Sequence, residues 1–442
     1  MAIHLDEHFG YKKLFRFTLP SVVMMIFTGV YGAVDGVFIA NFTGSTPFAA
    51  VNLIYPVLFL LGAFGFMLGS GGSALISKTL GEGDKQKANS IFSFLVYFSL
   101  IASAAIAVAG IAFMRPIAAL LTSDPETQNC CVIYGSIFLC ALPATIMQFE
   151  FSALFITAEK PKLGLFLAVA AGCTNLALDA LFIVVFGWGI IGAAVATACG
   201  YLVGGAIPLI YFSRKNSSLL RLGKASWEWR ALLKACTNGL SEFMTNVSVS
   251  LVTILYNYQF QKLAGELGIN AYAAVACVGF IFLAIFLGYS SGVAPVVGFH
   301  FGAKNKEELH GLLKRSLIII SGTSVALVLL SLLLASPLAT LYSNGDTVMQ
   351  EMTTHGFVLY CFSYLISGIN IFASAFFTAL NDGGVSATIS FLRTLALQVL
   401  FIFLLPVFWG IDGIWLAALF AELGCLIPSI LFFILKQKKY GY

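Results

Sequence analysis

The chain has 442 residues, of which 59% are hydrophobic and only 10% charged, and its formal net charge is +4. Soluble domains carry about 25% charged residues, so a surface facing water on all sides is excluded. The mean hydropathy of +0.94 fits a chain built to face lipid.

Apolar stretches of roughly 20 residues, each enough to cross a bilayer core, recur along the whole length. The sequence predicts spans 1 to 6 at 15–40, 49–77, 89–112, 130–157, 163–186 and 189–212. Spans 7 to 12 follow at 231–259, 270–299, 310–334, 352–379, 385–408 and 412–435. Barrel strands would alternate over about 10 residues and these runs do not, so the spans are helices. The first run follows Lys12, Lys13 and Arg16. It is too long for the apolar core of a signal peptide and lacks a small-residue cleavage pattern, so it reads as a mature helix.

With the N-terminus inside, Lys78, Lys85, Lys87, Lys160, Lys162, the 214–234 cluster, Lys304, Lys306, Lys314, Arg315, Lys436, Lys438 and Lys439 all fall on one side. Only Arg115 and Lys262 fall on the other. This positive-inside pattern predicts a multi-pass protein of the cell membrane with both termini cytoplasmic.

The chain also repeats itself. Gly44 pairs with Gly265, Gly71 with Gly292, Gly81 with Gly302, Pro116 with Pro337, Gly189 with Gly410 and Gly192 with Gly413, always 221 residues apart. The one long polar connection, 213–230 (SRKNSSLLRLGKASWEWR), separates the copies. The predicted organisation is a first lobe over 1–212, a cytoplasmic linker over 213–230 and a second lobe over 231–442. Six spans per half is an even number, so both halves run the same way through the membrane. The predicted fold is an all-α polytopic membrane protein of twelve transmembrane helices in two six-helix lobes. A pseudo-two-fold along the membrane normal relates the lobes, as in transporters with a cavity between parallel repeats.

The halves differ where chemistry is concerned. Asp35, Asn175, Asp179 and Thr197 lie in apolar segments, and their repeat partners are Tyr256, Ala396, Leu400 and Ala418. Asn175 and Asp179 are four apart and share a helix face. Thr197 follows an outer turn and should reach a similar depth, with Asp35 near it. Two carboxylates, an amide oxygen and a hydroxyl are hard oxygen donors, suited to a hard cation or a shared proton. The bland alternative is that each bonds a helix backbone, which for Thr197 alone is the simpler reading.

Intramembrane charge is costly and functional by default. Glu150 and Glu242 either line a central cavity as substrate contacts or tie helices together. Tyr31, one turn before Asp35, either lines the same pocket or packs, and Tyr256 is a further substrate-contact candidate. Arg393 and Glu422, on neighbouring spans, are expected to form a structural ion pair.

Nine scattered cysteines show no CxxC, five histidines form no ligand pattern, and no GxxxxGK[ST] is present. No cofactor is therefore expected beyond a coupling ion, Na⁺ or H⁺. If the ion is Na⁺, the metal ligands are Asp35, Asn175, Asp179 and Thr197. HExxH is likewise absent and no cluster of His and Asp stands at one depth, so no enzyme is expected, with a membrane-embedded enzyme kept as the remote alternative.

The twelve spans, the paired loops Gly81-Glu82-Gly83-Asp84-Lys85 and Gly302-Ala303-Lys304-Asn305-Lys306, and the Gly-rich starts of spans 6 and 12 resemble the multidrug and toxic compound extrusion (MATE) transporters. Gly187-Trp188-Gly189-Ile190-Ile191-Gly192, echoed by Trp409-Gly410-Ile411-Asp412-Gly413, is typical of them. The resemblance implies secondary active multidrug export of amphipathic, often cationic compounds, driven by inward Na⁺ or H⁺. It also implies a first-lobe cation site, because one prokaryotic branch carries Asp in span 1, N-x₃-D in span 5 and Thr in span 6, matching Asp35, Asn175, Asp179 and Thr197. Another branch uses a second-lobe Glu and Asp, and span 10 here has no carboxylate beyond its start. Small molecules and membrane lipid are the expected partners, with no nucleic acid and a monomeric state. The alternative within the wider superfamily is a lipid-linked oligosaccharide flippase, which would want several basic residues in its cavity.

Overall fold

A computed structural model describes residues 3–343 and 346–442, and every regular element among the described residues is a helix. Such a fold is what lipid demands, since only intrahelical bonds satisfy the backbone of an isolated span. Spans 1 to 3 are the helices Tyr11–Phe42, Ser45–Gly81 and Lys85–Ala112. Span 4 is a bent pair, Pro125–Cys140 and Leu142–Thr157, meeting at 57°. Span 5 is Pro161–Asp179 extended by a π-helical turn, Ala180–Val185, and span 6 is Gly189–Ser213.

Spans 7 and 8 form one run, Trp229–Gly302, broken at Gly265, where φ is 63° and ψ is −152°. Span 9 is Lys306–Ser343. Span 10 is again bent, Thr347–Cys361 and Tyr364–Ala379 at 48°, at the repeat position of the span 4 bend. Span 11 runs from Gly383 to Trp409 through a π turn at Leu392–Ala396, and span 12 is Ile411–Tyr440. The twelve spans stand as the sequence predicts. Among the described residues a further short helix, Met114–Leu121, lies between spans 3 and 4, outside the predicted spans.

Turn chemistry explains the boundaries. Asp84, Asp124 and Asp346 cap helices by accepting from the N–H groups of Lys87, Thr127 and Val348 at 2.9, 2.8 and 2.9 Å, which satisfies otherwise orphaned donors. Gly44 and its repeat partner Gly265 both take positive φ, as do Gly189 and Gly410. Only glycine does so without strain, which is why these pairs recur at a fixed offset.

Each lobe has its own apolar core. One gathers residues from Ile39 to Ala235 and the other residues from Val252 to Tyr442. Leu5, Phe9, Leu14 and Phe17 join the second core although they precede span 1 or open it. The N-terminal segment is held there by Glu308, which accepts from Phe9 N–H at 2.9 Å, meets His8 Nδ1 at 2.6 Å and pairs with Arg315 at 2.9 Å. Glu159, in the loop after span 4, holds the same segment from the first lobe through Leu5 N–H and His4, both at 2.7 Å.

The lobes meet through glycines near the 81–84 and 302–305 loops. A Cβ on Gly81 would lie 2.0 Å from Phe299 O, and one on Gly302 would lie 2.0 Å from Lys78 O. These contacts are reciprocal under the 221 offset, as an isologous junction requires. Asn381 adds a bond across it, donating from Nδ2 to Ala74 O at 3.0 Å. The junction is therefore sealed at the ends bearing the basic loops.

Candidate functional site

Two glycines bring spans 1, 5 and 6 together in the first lobe. A Cβ on Gly172 would lie 2.7 Å from the Phe27 ring and 3.0 Å from Tyr31 Cδ1. Span 1 can therefore pack against span 5 only where no side chain intervenes. On Gly200 a Cβ would lie 2.9 Å from the Asn175 Cβ, so spans 5 and 6 approach equally closely. One turn beyond Tyr31, Asp35 arrives beside Asp179 and Asn175. Asn175 Nδ2 reaches Thr197 Oγ1 at 3.5 Å. The Thr197 hydroxyl thus faces span 5 rather than only its own helix. Asn175, Asp179 and Thr197 are all buried, and Asp35 is partly so.

The carboxylates are poorly matched to one another. Ionised Asp35 and Asp179 both only accept, so neither can supply the other with a hydrogen. Asp35 Oδ1 and both Asp179 oxygens accordingly find no donor. Among the described residues no basic side chain acts on either carboxylate. A cluster of orphaned oxygens with no counter-charge fits a bound cation or a proton held between the two acids. Two carboxylates with an amide and a hydroxyl are also too few acidic or imidazole groups for a typical transition-metal centre. Among the described residues no cluster of three or more His, Cys, Asp or Glu is found.

Asp179 is the last residue before the π turn of span 5. Single π turns inside α-helices are frequent at functional sites, because they shift the hydrogen-bond register locally. Four further side chains surround the acids without any signal in the sequence. Tyr134 of span 4 lies beside Thr197, Tyr55 of span 2 beside Tyr201 of span 6, and Gln148 beside Tyr31. Each is a polar group in an apolar span, and the need of a buried tyrosine hydroxyl for a partner was the available clue.

The repeat position in the second lobe is closed. Tyr256, the counterpart of Asp35, donates to Gln398 Oε1 at 3.0 Å and stacks on Tyr272 at 4.8 Å. It lies in the second core, away from the space between the lobes.

That space is a cavity lined from both lobes, by Met24, Phe66, Phe149, Glu242, Ser291 and Thr378 among others. Glu242 is its carboxylate, with the Arg393 charge acting on it. Gln148 lines an adjoining recess with Met25 and Thr28. Glu150 is placed elsewhere: it is buried inside the first lobe beside Ser99 and does not line this cavity. Of the four substrate-contact candidates, only Glu242 reaches the cavity wall, and Tyr31 lies behind it against Gln148.

Arg393 and Glu422 approach to 3.3 Å in the second lobe. Asn370 donates to Glu422 Oε2 at 2.8 Å and accepts from Ser429 at 2.9 Å, which extends the pair into a buried network.

A sequence model of the MatE family matches residues 20–181 and again 243–404, one copy in each half. Multidrug export protein MepA of Staphylococcus haemolyticus (strain JCSC1435) is 26% identical over 424 residues, covering 96% of this chain and 93% of the relative. MepA of Staphylococcus aureus (strain N315) is 24% identical over 426 residues, with 95% and 93% covered. A solved structure of a MATE protein in complex with MaL6 superposes with a TM-score of 0.92 at 20% identity, over 99% of this chain and 97% of that one. An outward-facing structure of a multidrug resistance MATE family transporter gives the same TM-score, identity and coverage. The chain belongs to the MATE family of membrane transporters.

Proposed function

We propose that this protein is a multidrug exporter that moves amphipathic, often cationic compounds outward in exchange for inward Na⁺ or H⁺, by alternating access of the cavity between its lobes. The observation that carries this reading is the Asp35–Asp179 pair, two neighbouring acids with no counter-charge acting on them. Asp35, Asn175, Asp179 and Thr197 bind the coupling ion, and the relatives named multidrug export proteins support the choice of substrate. The protein acts as a monomer in the cell membrane, and its lysine and arginine distribution favours both termini on the cytoplasmic side. In that orientation the sealed junction makes this a state closed to the cytoplasm.

A cavity with a carboxylate, aromatic rings and hydroxyls favours cationic or neutral lipophilic ligands. The flippase reading wants cationic residues for a pyrophosphate, and the one intramembrane arginine is engaged by Glu422. The test is efflux of a fluorescent lipophilic cation from proteoliposomes under separately imposed Na⁺ and pH gradients. Efflux driven by one gradient supports the reading, and efflux indifferent to both opposes it.

A further inference from the structure

The segment between the lobes is more than a tether. It is fastened along the cytoplasmic half of span 3 by Arg221 N–H to Asn89 Oδ1 at 2.6 Å, Gly223 N–H to Ser93 Oγ at 3.0 Å and Ser226 N–H to Ser90 Oγ at 3.0 Å. Leu220 and Leu222 are buried beneath it. These contacts hold the chain in place, so its remaining side chains are free for another purpose.

Those side chains are of two kinds. Trp227 and Trp229 are 69% and 51% exposed, pack edge to face at 5.3 Å, and rest on Phe94 and Phe98 of span 3 at 5.5 and 6.2 Å. Arg214, Lys215, Arg221, Lys224 and Arg230 are exposed, with Glu228 the one acid in 213–230. Among the described residues none of these five cations forms an ion pair.

The duplication supplies an internal control. Residues 3–10 occupy the matching place before span 1, where Asp6 and His8 stand at the positions of Trp227 and Trp229, and Arg315 at that of Phe94. There His8 and Arg315 are both paired within the protein, with Glu308. Seating such a segment therefore requires neither exposed tryptophans nor unpaired cations. Amphipathic indole rings belong at the headgroup level of a bilayer. Unpaired lysine and arginine beside a span attract anionic lipid.

The geometry points to the linker as a binding surface for anionic phospholipid. Trp227 and Trp229 enter the interface, and Arg221, Lys224 and Arg230 engage the phosphate headgroup. Each basic residue near an anionic surface contributes roughly a fivefold gain, so the three together favour anionic over zwitterionic lipid by roughly a hundredfold. The linker is bonded to span 3 and leads directly into span 7, so lipid bound here touches both lobes at their connection.

The full chain is reconstituted in nanodiscs of phosphatidylglycerol and phosphatidylcholine in equal parts, with bromine on the acyl chains of one lipid or the other, and tryptophan fluorescence is read. Brominated phosphatidylglycerol should quench more strongly than brominated phosphatidylcholine. The difference should vanish in the Trp227→Phe/Trp229→Phe variant and in the Arg221→Gln/Lys224→Gln/Arg230→Gln variant. Lys224→Gln alone, a milder change, should reduce it. Equal quenching by both lipids in the unaltered protein overturns the proposal, as does a difference that survives removal of the three charges. A nanodisc presents the same lipids on both faces, so the outcome does not depend on which face is cytoplasmic.

Discussion

Gly71 and Gly239 meet across the junction of the lobes, where a Cβ on Gly71 would lie 1.9 Å from Ala235 O and 2.6 Å from Gly239 N. The repeat of this contact is Gly292 against Thr18, where a Cβ would lie 3.0 Å from the Thr18 Cβ. One junction is thus built twice from the same sequence positions, and glycine sets how closely the lobes approach.

Gly239→Ala tests that closure. The added methyl would lie 1.8 Å from Met67 O, a backbone atom that cannot rotate away. Overpacking of this kind costs about 1–3 kcal/mol. The expected result is a lower melting temperature and faster hydrogen exchange at 78–84 and 299–305. Unchanged exchange there would show that the junction is looser than its contacts imply.

The Arg393–Glu422 pair should behave as a structural element. Removing one partner of a buried pair costs about 3–5 kcal/mol, because the other is left uncompensated. Arg393→Ala should therefore lower thermal stability strongly while leaving the order of preferred substrates intact. A stable variant with a switched substrate range would move Arg393 from the scaffold to the cavity.

Much of this was readable in advance, for definite reasons. The twelve spans follow from hydropathy, and the two-lobe plan from glycines whose φ or close packing admits nothing else. Asp35 and Asp179 declare themselves because charge in an apolar span is costly. Tyr55, Tyr134, Gln148 and Tyr201 were not legible, because they come from spans 2, 4 and 6 and meet only in space. Glu150 shows the opposite failing: its carboxylate was visible, but whether it faced cavity or core depends on helix rotation. The direction in which Glu150 points, toward Ser99, is set by packing against Gly69 of span 2.

Glu308 gives a pH dependence of known sign. Burial pushes its carboxyl up, but the Phe9 N–H, His8 and Arg315 outweigh this and hold it below the ordinary carboxylate range. A lowered folded value means that the stabilisation is complete above the unfolded value of about 4.3 and is lost as pH falls through the folded one. Glu308→Gln should cost about 2 kcal/mol at neutral pH. The gap in melting temperature between the two proteins should close below about pH 4. A gap equally wide at both ends would remove the carboxylate from the account.

Glu242 should discriminate by charge. Glu242→Gln removes the carboxylate of the cavity wall, and the loss of one charge contact of about 1.4 kcal/mol lowers affinity roughly tenfold. Efflux of a monovalent lipophilic cation should fall accordingly while that of a neutral compound is spared. Equal loss for both would assign Glu242 to the fold instead.

The central claim is that Asp35 and Asp179 hold the ion that export consumes. Ion release on adding a lipophilic cation to the purified protein, read alongside binding of that cation, tests it most directly. The unaltered protein should release Na⁺ or H⁺ as substrate binds, since the two favour opposite lobe conformations. Asp35→Asn and Asp179→Asn should each bind substrate, remain folded and release no ion. Ion release and gradient-driven efflux at normal levels in both variants would contradict the account.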